Sequence, residues 1–146
     1  MKTVRYALAL ALVSTAACGG AVQSIEMKGG DPDLASIAGN WAGKYEGLDT
    51  GRTGDIHFNL ELGRHTADGQ VFMGGSNTPL TIRFVAVQRD QISGEIEPYI
   101  EPSCACQVHT EFLGTVAGNE IDGTFTTKVV MTGGEMHGTW RVARAN

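Results

Sequence analysis

Hydrophobic and polar residues alternate in short runs from Gly39 onwards, and turn-forming residues separate the runs. The clearest run is 54–62, in which Ile56, Phe58 and Leu60 share one side and polar residues share the other. A period of two residues is typical of a β-strand with one buried face. The pattern predicts eight strands, at 39–46, 54–62, 70–74, 80–88, 91–97, 105–116, 120–129 and 135–143.

The connections between these strands are short, and several carry turn signals such as Asp68-Gly69, Gly118-Asn119 and Gly133-Gly134. Short loops pair strands in sequence order, and no later segment has the pattern of a long amphipathic helix. A sheet that closes on itself also removes exposed edge strands. We therefore predict an all-β fold, an eight-stranded antiparallel up-and-down barrel, with a two-sheet β-sandwich as the alternative.

A short motif, large-x-Gly-x-large, recurs along the chain. It appears as SIAGNW at 36–41, QISGEI at 91–96, EIDGTF at 120–125 and EMHGTW at 135–140. Because side chains alternate along a strand, each glycine falls between two large inward residues. Glycine within a strand marks a sharp bend or close packing against the backbone, and a small barrel requires both. We interpret the motif as barrel construction rather than as a functional site.

Residues 1–17 have the order of a secretory signal peptide. Lys2 and Arg5 precede the apolar run ALALALV, and small residues then lead to Cys18. The tetrad Thr15-Ala-Ala-Cys18 resembles a bacterial lipobox, in which the cysteine becomes the lipid-modified N-terminus. We therefore expect export to the bacterial cell envelope and a membrane anchor through a lipid on Cys18. A soluble secreted or periplasmic protein is the alternative.

The segment 18–35 is rich in glycine and has no sustained period, so it is interpreted as a flexible tether that leaves 36–146 as one domain. Removal of Lys2 and Arg5 with the signal would leave nine basic and sixteen acidic residues, a net charge of −7. No basic cluster is present to neutralise phosphates, so nucleic-acid binding is not expected. The sequence does not indicate an oligomeric state.

The first and last predicted strands resemble those of known barrels. Gly39-Asn-Trp41 resembles the Gly-x-Trp opening of the lipocalin and avidin-type barrels, the calycin group. Gly138-Thr-Trp140-Arg141 is similar to the closing strand of small bacterial lipoprotein barrels. The resemblance implies a calycin-like barrel that holds a small apolar ligand in its mouth.

Five inward aromatic residues are the candidates to line such a space, and they are equally the candidates for a filled core: Trp41, Tyr45, Phe58, Phe84 and Trp140. An eight-stranded barrel is just wide enough to be filled by side chains or to hold one small ligand. Both interpretations stay open here. A further hypothesis is a protein-interaction module without a ligand, for which an apolar patch around Val85 and Val87 on the outer face would be the sign.

Cys104 and Cys106 form the only chemically suggestive cluster. Export implies an oxidising compartment, and with Cys18 lipidated each of these cysteines has only the other as an intramolecular partner. We expect a structural disulfide or a pair of buried thiols. A thiol-redox site and a metal site that adds His109 are the alternatives, although in an ideal strand His109 would point away from both cysteines.

Nothing in the remaining sequence indicates catalysis. The four histidines are scattered, and the acidic run of Glu95, Glu97 and Glu101 is interpreted as solvated surface. No nucleophile elbow, phosphate loop or zinc-hydrolase helix occurs. We therefore predict that the protein is not an enzyme and that it has no catalytic residue, no cofactor and no metal site.

Overall fold

The computed structural model describes residues 25–60, 66–72 and 79–145. These residues form nine strands and one short helix. The elements are β1 (Ile25–Lys28), α1 (Asp31–Ile37), β2 (Gly39–Gly47), β3 (Thr53–Leu60), β4 (Thr66–Phe72), β5 (Pro79–Gln88), β6 (Gln91–Glu101), β7 (Cys106–Ala117), β8 (Glu120–Val129) and β9 (Glu135–Arg144).

Strands β2 to β9 form a closed antiparallel barrel in which each strand pairs with its neighbours in sequence. The barrel closes between the last strand and the first, where Trp140 on β9 pairs with Tyr45 on β2. The predicted fold class is therefore confirmed, and the β-sandwich alternative is excluded. All eight predicted strands are present, with ends that differ from the predicted ones by a few residues at most.

The ninth strand, β1, fills a gap in the barrel wall. β4 and β5 pair directly only near the end where Val71 lies opposite Leu80. Farther along they separate, and Glu26 of β1 pairs with Thr66 of β4 on one side and with Phe84 of β5 on the other. β1 thus covers two strand edges that would otherwise expose unpaired backbone groups.

The helix α1 closes one end of the barrel. Leu34 and Ile37 are buried in the hydrophobic core, 7% and 0% exposed. β1 and most of α1 fall within 18–35, the segment that the sequence interpretation assigned to a tether. Cys18 and the signal-like segment lie outside the described residues.

Two of the motif glycines make room for aromatic rings. Gly123 on β8 pairs with Trp140 on β9, and Gly138 on β9 pairs with Phe125 on β8. A Cβ atom at either glycine would lie within 3.0 Å of the ring opposite. These copies of the motif therefore build the barrel, as predicted. In the copy at 36–41 the glycine has φ of +121° and turns the chain from α1 into β2 instead.

A β-bulge in β5 reverses the faces predicted for its second half. The pairing with β6 shifts between Ile82 and Phe84, so Arg83 is an extra residue. Val85 and Val87 are consequently buried in the core, 3% and 2% exposed. The interpretation that placed these two valines on the outer face, as a protein-binding patch, was wrong. The side chain of Phe84 lies outside the described residues.

Candidate functional site: the barrel cavity

The interior of the barrel contains a cavity of about 80 Å³. Its lining extends to the end of the barrel opposite α1, where Thr50, Arg52, Glu101 and His137 surround the mouth. The cavity is larger than a single water molecule requires. Its walls are largely apolar, and the lining residues include Ile56, Ile82, Ile92, Ile96, Phe112 and Phe125.

The structure divides the predicted aromatic residues between this cavity and a filled core. Tyr45, Phe58 and Trp140 line the cavity. Trp41 does not: it is 1% exposed at the closed end, where its Nε1 donates a hydrogen bond of 2.7 Å to the carbonyl of Ile37. The closed half of the barrel is therefore packed with side chains, and the open half contains the cavity.

Aromatic pairs hold one side of the cavity wall in place. The rings of Phe112 and Trp140 meet edge to face with centroids 5.7 Å apart, and those of Tyr45 and Phe125 do so at 6.0 Å. The Nε1 of Trp140 donates to the carbonyl of Leu113 at 3.2 Å. A wall fixed in this way keeps its shape without a ligand.

Three hydroxyl groups interrupt the apolar wall. The Oγ1 atoms of Thr110 and Thr127 are 2.7 Å apart, and the hydroxyl of Tyr99 lies 3.4 Å from Thr110 Oγ1. Burial is the main cause that raises the pKa of Tyr99 above its usual value. Sequence reasoning missed these residues. The available signal was threonine at an inward position among apolar residues, as in Val108-x-Thr110 on β7 and Phe125-x-Thr127 on β8.

An ion pair lies at the cavity mouth. Arg52 Nε is 3.2 Å from Glu101 Oε1, and the Glu101 side chain is 6% exposed. The backbone N–H of Ser103 donates to the same oxygen at 3.2 Å. The prediction that Glu101 belongs to a solvated acidic run was therefore wrong. A register shift in β6 between Ile96 and Tyr99 turns Glu101 inward, where a buried carboxylate needs such partners.

Cys104 and Cys106 are joined by a disulfide across the β6–β7 turn, with Cα atoms 5.1 Å apart. Ala105 between them has φ of +50°, a backbone region that residues with a side chain rarely adopt. Cys104 and Ala105 are exposed. His109 lies on the other side of β7 from the buried Val108 and Thr110, as alternation predicts, so the structure does not assemble the Cys-x-Cys-x-x-His metal array.

His109 instead lies beside two carboxylates on the outer wall. Its Nε2 is 4.0 Å from Glu95 Oε2 and 3.8 Å from Glu111 Oε1. In the described part of the chain these three side chains are the group whose ligand atoms come close enough together to hold a metal ion. All three are partly or fully exposed, and exposed groups of this kind are common without a metal. We treat them as neighbouring polar side chains on the surface.

No protein-family model, curated protein or solved structure matches the chain. What the structure defines is a class of fold: a closed eight-stranded antiparallel β-barrel, consistent with a calycin-like architecture, with one additional strand. Among the described residues, no helix is both long enough and apolar enough to cross a membrane. The function therefore has to be inferred from the geometry of the barrel.

Proposed function

We propose that the protein is a binding module of the bacterial cell envelope that holds a small, largely apolar molecule in the open half of its barrel. The observation that carries the proposal is the apolar cavity, which α1 closes at one end and which reaches the surface at the other. Burial of apolar surface contributes about 25 cal/mol per Å². A cavity with a preformed wall keeps most of that gain, because little has to be ordered on binding.

The surface around the mouth supports the same proposal. Among the described residues, four of the five large apolar side chains that are exposed lie at this end of the barrel. Leu48 follows β2, Ile100 is near the end of β6, and Val130 and Met131 follow β8. An apolar molecule that reaches the mouth would therefore meet apolar side chains before it enters.

The binding of a ligand can be followed at the two tryptophans of the chain. Trp140 lines the cavity, whereas Trp41 is packed at the closed end. In ¹H–¹⁵N NMR spectra, titration with hexane should shift the indole N–H signal of Trp140 and leave that of Trp41 nearly unchanged. Native mass spectrometry of the protein purified without reductant would reveal a ligand carried over from the cell. A bare mass together with an unmoved Trp140 signal would contradict the proposal.

The placement in the cell envelope rests on the N-terminal sequence and on the cysteines. The chain has three cysteines, and the disulfide between Cys104 and Cys106 leaves Cys18 as the third. A disulfide fits an oxidising compartment, and a lipid on Cys18 would use the remaining thiol. Expression of the full chain and of Cys18→Ser in bacteria fed an alkyne-tagged fatty acid tests this. The tag should label the parent chain in the membrane fraction and not the variant, and equal labelling of both would contradict lipidation at Cys18.

A thiol-redox role is a second candidate, and the disulfide between the exposed Cys104 and the partly buried Cys106 is the observation that favours it. Structural disulfides of exported proteins have reduction potentials below about −300 mV, whereas labile or catalytic ones lie higher. Equilibration of the folded protein with glutathione buffers measures the reduction potential and so distinguishes a structural disulfide from a redox-active one. A potential near that of the glutathione pool would support redox function, and resistance to reduction would leave the disulfide a structural role. We propose no other catalytic activity.

A further inference from the structure

The three hydroxyls in the cavity wall form a short chain on adjacent strands. Tyr99 lies on β6, Thr110 on β7 and Thr127 on β8. Thr110 and Thr127 are 2% and 3% exposed, and all three residues line the cavity. The chain runs from Tyr99 through Thr110 to Thr127, with oxygen–oxygen distances of 3.4 Å and 2.7 Å. Most of the surrounding wall is apolar, and Tyr45 and Thr50 carry the other hydroxyl groups of the lining.

This chain has one hydrogen more than it can use internally. Each hydroxyl carries one donor, so three hydroxyls bring three donors, and the two hydrogen bonds between them use two. Among the described residues, no acceptor outside these three hydroxyls takes a hydrogen bond from them. The unused donor can belong to any of the three hydroxyls, and all three residues line the cavity. A buried donor without an acceptor is unfavourable, so an occupant that supplies an acceptor is favoured.

The charges near the mouth disfavour an anion as that acceptor. Arg52 is already paired with Glu101, whose carboxylate is buried. The negative charge of Glu101 also lies close enough to the hydroxyl chain to raise the pKa of the Tyr99 hydroxyl, in addition to the larger effect of burial. A second negative charge at the same place would be repelled in the same way, and the whole chain carries a net charge of −5.

We propose that the ligand is an uncharged apolar molecule with one hydrogen-bond-accepting oxygen, such as a ketone, ester or ether, which accepts from the hydroxyl chain of Tyr99, Thr110 and Thr127. This inference rests on the proposed function, since it specifies the occupant of the same cavity. It makes the three hydroxyls specificity-determining residues, which select a neutral oxygen over a carboxylate and over a bare hydrocarbon of the same shape.

The test compares three probes of equal chain length at neutral pH: hexane, 2-hexanone and hexanoate. Their affinities are measured from the Trp140 indole signal, first in the parent protein and then in the triple variant Tyr99→Phe/Thr110→Val/Thr127→Val, which removes the hydroxyls and nearly keeps the shape. In the triple variant the affinity for 2-hexanone should fall by about threefold to tenfold, and the affinity for hexane should stay the same or rise. The matched control Thr124→Val, which removes an exposed hydroxyl from the same strand, should change neither affinity.

The outcomes separate this inference from the proposed function. If neither hexane nor 2-hexanone shifts the Trp140 signal, the cavity does not bind small apolar molecules and both proposals fail. If both probes bind and the triple variant affects them equally, only the inference fails. If the triple variant does not fold, the affinities of the parent protein for hexanoate and 2-hexanone test the inference. Hexanoate should then bind at least about tenfold more weakly than 2-hexanone, and equal affinity for the two would overturn the inference.

Discussion

Arg144 covers the face of Trp41, with its guanidinium carbon 4.5 Å from the ring centroid. The same guanidinium donates to the carbonyl of Ser36, in the last turn of α1, and to that of Ala38, between α1 and β2. Trp41 in turn donates to the carbonyl of Ile37, the last residue of α1. One side chain on the last strand therefore holds together the helix that closes the barrel and the strand on which the barrel closes.

Replacement of Arg144 by alanine should lower the free energy of unfolding by about 2 kcal/mol. It removes the cation–π contact and leaves two backbone carbonyls without their donor. Urea unfolding followed by circular dichroism measures the change. Arg141→Ala is the matched control on the same strand. Arg141 pairs with Asp122 on the exposed surface, where solvent screens the pair, so its loss should cost much less than the loss of Arg144. Equal effects of the two variants would contradict the structural role of Arg144.

The packing of Trp140 against Gly123 gives a second prediction. Gly123→Ala places a Cβ within 3.0 Å of the indole ring and of the Leu113 carbonyl, so we expect destabilisation of about 1–3 kcal/mol. Gly134→Ala serves as the control, because a Cβ there would make only ordinary contacts with Thr132 and Val129. Thermal unfolding of both variants measures the difference. An unchanged midpoint for Gly123→Ala would show that the barrel does not need glycine at this position.

Much of the fold could be predicted from the sequence, because strand patterns and turns are local. Alternation placed Tyr45, Phe58 and Trp140 on the inner face, and the structure finds them in the cavity lining. The helix α1 and the strand β1 were missed. Each is short, and the burial of residues such as Leu34 depends on barrel strands that are distant in sequence. A four-residue strand such as β1 has too little pattern to be recognised by itself.

The two wrong predictions of exposure both involve an extra residue in a strand. A single extra residue in a strand reverses every position after it. The bulge in β5 has no marked sequence signal, whereas the shift in β6 contains Pro98. The bulge at Arg83 brought Val85 inward, and the shift between Ile96 and Tyr99 brought Glu101 inward. The hydroxyl chain in the site was missed for a related reason. Threonine is common on both faces of strands, so only the pairing of β7 with β8 shows that Thr110 and Thr127 meet.

Tyr99 should make the stability of the protein fall at alkaline pH. Burial raises its pKa in the folded state, whereas in the unfolded chain tyrosine ionises near a pKa of about 10. Above that pH the unfolded state releases the proton and the folded state retains it, so the free energy of unfolding decreases as pH rises; below it this contribution is constant. Urea unfolding at a series of alkaline pH values should therefore show a steeper loss for the parent protein than for Tyr99→Phe. Identical slopes would show that Tyr99 ionises normally in the folded protein.

Replacement of Ala105 by glycine should not destabilise the protein, whereas replacement of an alanine in a regular strand of the barrel should. Its φ of +50° is unfavourable for a residue with a Cβ and is readily adopted by glycine. Ala105→Gly should therefore leave the free energy of unfolding unchanged or raise it by up to about 1 kcal/mol. Ala143→Gly, at an exposed position of β9, should lower it by about 0.5–1 kcal/mol, because glycine weakens a regular strand. Urea unfolding of both variants with the disulfide intact measures the contrast, and destabilisation of Ala105→Gly equal to that of Ala143→Gly would mean that the turn between Cys104 and Cys106 carries no backbone strain.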